Sequence, residues 1–370
     1  MLDIKFIREN KELVEKNNQS RNTKVDLDAL LELDAERNEL MKKIDDLRAE
    51  RRKRSKTKPS EEEIALIRKV GDEIAGLENL LAEKTEKLNK ILWGIPNINH
   101  ETVPIFKDES GNKAMRKEGK IPNFSFEPRE HFEVGSVKPL MDLERGAEIS
   151  GSRFFYLKGK LAILERALMQ YAVDFSVARG FELVLPPLLV KENAMFGAGF
   201  FPADKNEIYA VNPGEDDLYL IGTSEVPLIY YHSNQILAEK DLTKKYVSIT
   251  PCFRREAGSY GKDTKGMFRV HQFYKVEMVV LSKPEESWKI HEELLKNEED
   301  ILQSLGLHYQ VVNICSGDLG FPAAKKYDCE GWFPGQGRYR ELTSASNTTD
   351  YQARRSNIKY KTTDGKKEFV

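Results

Sequence analysis

Apolar residues recur at alternating three- and four-residue steps in two stretches near the start of the chain. The first carries Leu30, Leu33, Leu40, Ile44 and Leu47, with Arg37 in one slot. The second follows a break at Pro59 and carries Ile67, Val70, Ile74, Leu77, Leu81, Lys84, Leu88 and Ile91. Such spacing lays a narrow apolar seam along each of two helices. A break of about ten residues between them favours an antiparallel coiled-coil hairpin, with arms roughly 40 Å long at 1.5 Å per residue. Gly71 and Gly76 are weak points of the returning helix. Residues 1–25 read as a short helix and a polar connector.

Beyond the hairpin the pattern changes. Trp93 to Ser125 contains Pro96, Pro104, Gly111, Gly119 and Pro122 among mixed polar residues and reads as a linker. A helix follows, with Leu161, Leu164, Leu168, Tyr171 and Phe175 on one stripe and Gly180 suited to its end. Phe181 to Leu185 is a short strand stopped by Pro186 and Pro187. Leu218 to Ile221 is another, and Thr223 and Ser224 beside Glu225 and Pro227 make a helix-start signature. Pro284 to Leu305 reads as an amphipathic helix with Trp288, Leu294, Leu295 and Leu302 facing inward, and residues 309–314 as a strand.

Ile249 to Val280 has two alternating runs around a loop of Gly, Ser, Lys and Asp, the pattern of a long antiparallel hairpin. Residues two apart share a strand face. Arg254 and Glu256 therefore share one face of the first run, and Arg269, His271, Phe273, Lys275 and Glu277 one face of the second. Val270, Tyr274, Val276, Met278 and Val280 occupy the opposite face and suit a core. A surface with guanidinium, aromatic ring and carboxylates suits a nucleotide and a small zwitterion. It equally suits a solvated sheet face with cross-strand ion pairs.

The 370 residues allow about two or three domains. Charged residues make up 32 % and hydrophobic ones 40 %, as expected of a soluble protein with a long exposed helical part. The net charge is −2, so a polyanion must be met by local patches. One such patch lies at the turn of the predicted coiled coil: Arg48, Arg51, Arg52, Lys53, Arg54, Lys56 and Lys58. It is either a solubilising tip or a contact for a phosphate backbone. Cys252, Cys315 and Cys329 form no CxxC pair, the histidines make no metal-like spacing with them, and a reduced cytoplasmic setting fits. The start has no signal-peptide core, and no apolar run reaches membrane length.

Phe253-Arg254-Arg255-Glu256, the loop and Phe268-Arg269-Val270-His271-Gln272-Phe273 resemble motif 2 of class II aminoacyl-tRNA synthetases. The longer string from Pro251 to Met278 is similar to the seryl-tRNA synthetase family in particular, as are Ile95-Pro96-Asn97 and the segment around Glu341-Leu342-Thr343-Ser344. The helix, strand and proline around residues 159–187 resemble motif 1, the dimer element of the class. The resemblance implies an α+β fold. A tRNA-binding coiled-coil arm would span residues 1–100, a linker 101–140, and a class II antiparallel sheet flanked by helices 141–370. It implies an ATP-dependent serine–tRNA ligase, a cytoplasmic homodimer without membrane association, that takes L-serine, ATP with Mg²⁺ and serine tRNA.

Residue by residue, the resemblance implies that Arg254 binds the ATP α-phosphate and the serine carboxylate. Glu256 accepts from the adenine amine, Phe273 stacks on the ring, and Arg255 and Val270 lie beside the nucleotide. Thr223, Ser224 and Glu225 take the amino group and Glu277 the hydroxyl of serine. Glu341 holds Mg²⁺ with Ser344 nearby, and Leu342 and Thr343 complete the ATP segment. The basic patch at the arm tip contacts tRNA. Two departures bear on this: Gly222 stands where the family usually has proline, and Leu342, Thr343 and Ala345 replace commoner residues, Ala345 a thiol. The family continues into motif 3, which this sequence stops short of at Val370. The resemblance therefore implies a C-terminally incomplete catalytic domain, an incomplete sequence in preference to a naturally truncated protein, with weak or absent adenylate formation. The rival readings are a class II ligase for another amino acid, a related carrier-protein ligase, which would lack the arm and use zinc, and a catalytically impaired tRNA-binding relative or coiled-coil adaptor.

Overall fold

The structure is a computed structural model and describes residues 1–55, 60–135, 137–257 and 265–370. Contacts divide the chain into Leu2–Pro96 and a larger unit of Met1 with Asn97–Val370.

In the smaller unit, two short helices, Ile4–Glu9 and Lys11–Ser20, precede two long ones: α1 (Leu27–Arg54, 28 residues) and α2 (Glu61–Trp93, 33 residues). At 1.5 Å per residue these are roughly 42 and 50 Å long. Their starts are fixed locally. Asp26 accepts from the Ala29 amide at 2.9 Å, and Ser60 and Glu63 form a reciprocal capping box. Ile44, Val70 and Ile74 are buried between α1 and α2, flanked by Leu47, Leu77 and Leu81. The seam is the one expected from the heptads. Its two polar slots are each answered by a carboxylate: Arg37 lies 2.9 Å from buried Asp34, and Lys84 2.6 Å from Glu36 across the hairpin. The Glu36–Lys84 and Lys43–Glu73 pairs run in opposite senses along the two helices, so the hairpin is antiparallel. The break at Pro59 lies outside the described residues.

The larger unit begins with Asn97, whose buried amide donates to Pro322 O at 2.9 Å and Thr348 O at 2.8 Å. The stretch expected as a linker supplies β1 (Lys113–Glu118). Then come α3 (Gly159–Val177), β2 (Glu182–Leu183), α4 (Glu225–Tyr230), β3 (Lys244–Phe253) and β4 (Gln272–Leu281). The chain continues through α5 (Ser287–Ser304), β5 (Tyr309–Asn313), β6 (Lys325–Phe333) and β7 (Arg338–Asn347). The expected antiparallel strands flanked by helices are present, and among the described residues they divide into one four-stranded, three three-stranded and one two-stranded sheet, two of which carry the site. One runs β1-β5-β6-β7, all antiparallel; the other runs β4-β3-β2, with β2 parallel to β3. β4 and β7 are thus both edge strands. Leu295 and Leu302 of α5 pack on Tyr309, Val311, Tyr327 and Cys329, which seats the helix on the four-stranded sheet.

The stripe on α3 faces outward: Leu164 is 52 % and Leu168 41 % exposed, while Val173 and Ser176 are the buried positions. One expectation changes. The hairpin ladder runs only from Lys244↔Leu281 to Phe253↔Gln272, so Arg254–Glu256 and Arg269–His271 lie beyond it. The cause is local: Glu256 has a φ of 50°, a left-handed conformation that ends the extended run. Because β4 is an edge strand, the face expected to be core is only partly covered, and Tyr274 stays 47 % exposed.

Candidate active site

β3 and β4 converge on the turn after Ile221. There the Phe253 amide donates to Ile221 O at 2.9 Å, so the hairpin end and the start of α4 are tied together. Thr223, at that turn, is buried, and its hydroxyl is the hub of the site. It donates to Glu277 Oε2 at 2.7 Å and accepts from Lys275 Nζ at 3.0 Å and from the Glu225 amide at 3.2 Å. Lys275 and Glu277 also form a close ion pair. Their side chains meet because they sit two apart on β4. Glu225, the first residue of α4, accepts from Gln352 Nε2 at 2.6 Å. Burial, with the Glu277 charge beside it, pushes the Glu225 carboxyl above the usual range. Burial works against the Lys275 charge, but Glu277 and Glu225 outweigh it and the ammonium is held more firmly than usual.

Arg254 follows directly on β3. Its guanidinium carbon lies 5.3 Å from the centre of the Phe273 ring, and Nε donates to Gly222 O at 3.3 Å. Gly222 thus supplies a carbonyl to the arginine at the position where the family usually has proline. No carboxylate pairs with Arg254 among the described residues. Its neighbour in the strand pairing is retained past the ladder, since the Arg254 amide donates to His271 O at 3.0 Å. Glu256 is paired with Arg269 at 2.7 Å. The left-handed turn at Glu256 is what brings that carboxylate onto the returning chain.

The second half of the site lies on β7. In a regular strand Glu341 and Ser344 would point to opposite faces, being three apart. A bulge between Cys329 and Glu330 on β6 pairs Thr343 with Cys329 but Glu341 with Glu330, leaving Leu342 unmatched. Asp328 pairs with Ser344 and Glu330 with Glu341, and since Asp328 and Glu330 are two apart on β6, Glu341 and Ser344 end on one face. Lys326 lies 3.1 Å from the Asp328 carboxylate. On the other face Thr343 donates to buried Glu298 of α5 at 2.9 Å. Burial raises the Glu298 carboxyl to about 8. A groove of about 430 Å³ is lined by Glu225, Lys275, Glu277, Glu298, Thr343 and Ser344 among others, and so joins the β4 and β7 edges.

The other expected residues are placed as follows. Ser224 is fully buried at the N-cap of α4, with its hydroxyl lacking a hydrogen-bond partner. Arg255 is exposed and its amide donates to Glu207 O at 2.8 Å. Val270 is buried, Phe273 half-buried, and Glu341 and Leu342 exposed. At the arm, Arg51, Arg52 and Lys53 are exposed, Arg48 pairs with Glu78 at 2.7 Å and Arg54 with Glu50 at 2.8 Å. Lys56 and Lys58 lie outside the described residues. Sequence reasoning gave no role to Lys275, Gln352, Glu298 or His131. His131 Nε2 accepts from the Met267 amide at 3.0 Å, and its ring meets the edge of Phe268 at 4.8 Å, bracing the returning half of the hairpin. Only the spacing of Lys275 from Glu277 could have been read beforehand; the others come from remote segments.

Residues 208–370 match the family model of the tRNA synthetase class II core domain (G, H, P, S and T), and residues 1–99 that of the seryl-tRNA synthetase N-terminal domain. With an arginine at the mouth of an antiparallel hairpin and an acidic second strand beside it, the larger unit is a class II aminoacyl-tRNA synthetase core. The serine–tRNA ligase of Pyrococcus horikoshii is 44 % identical over 403 residues, which cover 100 % of this chain and 88 % of that protein. That of Thermodesulfovibrio yellowstonii is 43 % identical, covering 100 % of this chain and 90 % of that one. The chain belongs to the seryl-tRNA synthetase family. Among solved structures, seryl-tRNA synthetase from Pyrococcus horikoshii complexed with ATP superposes with a TM-score of 0.90 at 43 % identity, covering 100 % of this chain and 90 % of that one. The cytoplasmic enzyme of Naegleria fowleri in complex with AMP gives 0.85 at 35 %, covering 100 % and 88 %.

Proposed function

We propose that this protein activates L-serine with ATP and transfers the seryl group to serine tRNA. The carrying observation is the meeting of Arg254, which has no carboxylate partner among the described residues, with the Thr223–Lys275–Glu277 hub and Glu225. A serine carboxylate oxygen attacks the ATP α-phosphorus; pyrophosphate leaves and seryl-adenylate remains. A terminal ribose hydroxyl of the tRNA then displaces AMP and loses its proton as the ester forms. No side chain becomes covalently attached, so positioning and charge stabilisation supply the rate.

Arg254 holds the α-phosphate and serine carboxylate, with Phe273 under the adenine. Glu225 takes the ammonium group and Glu277 the serine hydroxyl. Glu256 exchanges Arg269 for the adenine amine. Glu341, Asp328 and Ser344 form an oxygen-donor face, which fits a hard cation that keeps waters and phosphate oxygens as its other ligands. Glu341 and Ser344 would hold Mg²⁺ there, and the ion would supply charge neutralisation to the ATP phosphates. The arm tip supplies Arg51, Arg52 and Lys53 to the tRNA backbone. The outward apolar face of α3, with Ile163 67 % and Leu164 52 % exposed, supports a homodimer. Among the described residues no helix is long and apolar enough to cross a membrane, and three free cysteines fit the reducing cytoplasm.

Calorimetric titration with serine, alanine and threonine in the presence of ATP tests the reading. Serine binds, and Glu277→Ala weakens it about 10- to 100-fold, the scale of a lost charge-assisted hydrogen bond. Equal binding of serine and alanine by the parent chain would refute the assignment of Glu277.

A further inference from the structure

Thr223 has one hydroxyl proton and two lone pairs, and the structure uses all three. The proton goes to Glu277, and the lone pairs take the Lys275 ammonium and the Glu225 amide. The hydroxyl expected to hold a substrate amino group therefore has no acceptor capacity left. Three charges of the groove are shared unequally. Lys275 is in close ion-pair contact with Glu277, whereas the one hydrogen bond to the Glu225 carboxylate comes from the neutral amide of Gln352.

Resting on the amino-acid site described above, we propose that Lys275 is the positioning and specificity-determining cation of that site. It neutralises Glu277 and saturates Thr223. Glu277 is thereby reserved for a hydroxyl, and Glu225, which has no ion-pair partner within contact among the described residues, is left for an ammonium group. The proposal goes beyond the serine contacts assigned so far, because Lys275 acts through Thr223 and Glu277. Two carboxylates without an intervening cation would both attract the amino group, and one of them would take up a proton near neutral pH. With Lys275 in place the site offers an ammonium position and a hydroxyl position that differ in charge. A substrate bearing both groups fits in one orientation only. The ionisable groups facing Lys275 are Glu277 on its own strand, Glu225 on α4, Glu298 on α5, and Arg254 and Cys252 from β3 and its end.

The test compares the parent with Lys275→Met, which keeps the stem and removes the charge, and with Lys275→Arg, which keeps the charge. L-serine, L-alanine and ATP are titrated calorimetrically from pH 6 to pH 8.5. For Lys275→Met the expected result is a serine affinity at least about tenfold weaker, a narrower preference for serine over alanine, and an unchanged ATP affinity. Its serine affinity also rises more steeply with pH than the parent's, since the shared proton must leave before the ammonium is held. Lys275→Arg recovers most of the affinity and the parent's pH profile. Serine binding by Lys275→Met equal to the parent, with the parent's pH profile, overturns the proposal. So does an equal loss for serine and ATP, which marks a merely structural side chain. A parent that binds ATP but no serine refutes the amino-acid site itself, and this inference with it.

Discussion

A carboxyl group buried under a strand is held in its neutral form, and Glu298 is such a group: it is 8 % exposed, accepts from Thr343, and is raised to about 8 by burial. Its ordinary value is 4.5. Between those two pH values the folded chain keeps a proton that the unfolded chain has released, so this group makes stability fall as pH rises. Glu298→Gln remains neutral throughout. Thermal melts of the two proteins should therefore diverge with pH: close at pH 5, the glutamine form more stable at pH 8.5 by on the order of 1–3 kcal/mol. Equal differences at both ends would show that Glu298 is ionised in the fold. Arg254 is a second residue-scale case. Its planar guanidinium lies over Phe273 while Nε reaches Gly222 O, and lysine can reproduce neither contact. Arg254→Lys should lose ATP affinity almost as fully as Arg254→Ala, at least about tenfold by equilibrium dialysis. At this scale the sequence was informative wherever neighbours along one strand made the contact, as for Lys275 and Glu277. It was silent on Glu298 and His131, whose partners are 45 and 136 residues away.

The coiled-coil arm is the element whose physics is most local. Its seam, caps and antiparallel sense follow from heptad spacing, Asp26, Ser60 and the short break, and no remote segment is needed to specify them. Ile74 is 5 % exposed at the centre of that seam. Ile74→Ala should destabilise the arm by about 2–5 kcal/mol, visible as an earlier loss of helical circular dichroism than in the parent. Charge reversal of Arg51, Arg52 and Lys53 leaves the seam intact and should lower tRNA affinity while flattening its salt dependence, as fewer counterions are released. A filter-binding series in increasing salt measures both. The strand carrying Glu341 is the opposite case. Alternation along its sequence separates Glu341 from Ser344, and only the bulge opposite Cys329 and Glu330 reunites them. A bulge is a property of two paired strands, and its position could not be read from one.

For the molecule as a whole, the outward stripe of α3 is an exposed apolar face, with Ile163 67 % and Leu164 52 % exposed. Leu164→Lys should convert a dimer to a monomer in sedimentation experiments without lowering the ATP affinity of the isolated chain; a parent that sediments as a monomer removes the basis for the homodimer. The stripe itself was legible, but its direction was not, since a helical pattern shows that a face is apolar and says nothing of which neighbour covers it. The same division runs through the protein. Sequence alone determined what depends on near neighbours: the heptad hairpin, the helix starts, the long β-hairpin, and the residue types gathered near Arg254 and Glu277. Tertiary structure alone decided where those strands end, that β4 and β7 become the edges of two separate sheets, and that Thr223, Lys275 and Glu277 meet at one hydroxyl. Those contacts join segments far apart in the chain. Local spacing fixes which face a side chain takes, whereas packing of remote segments fixes what stands opposite it.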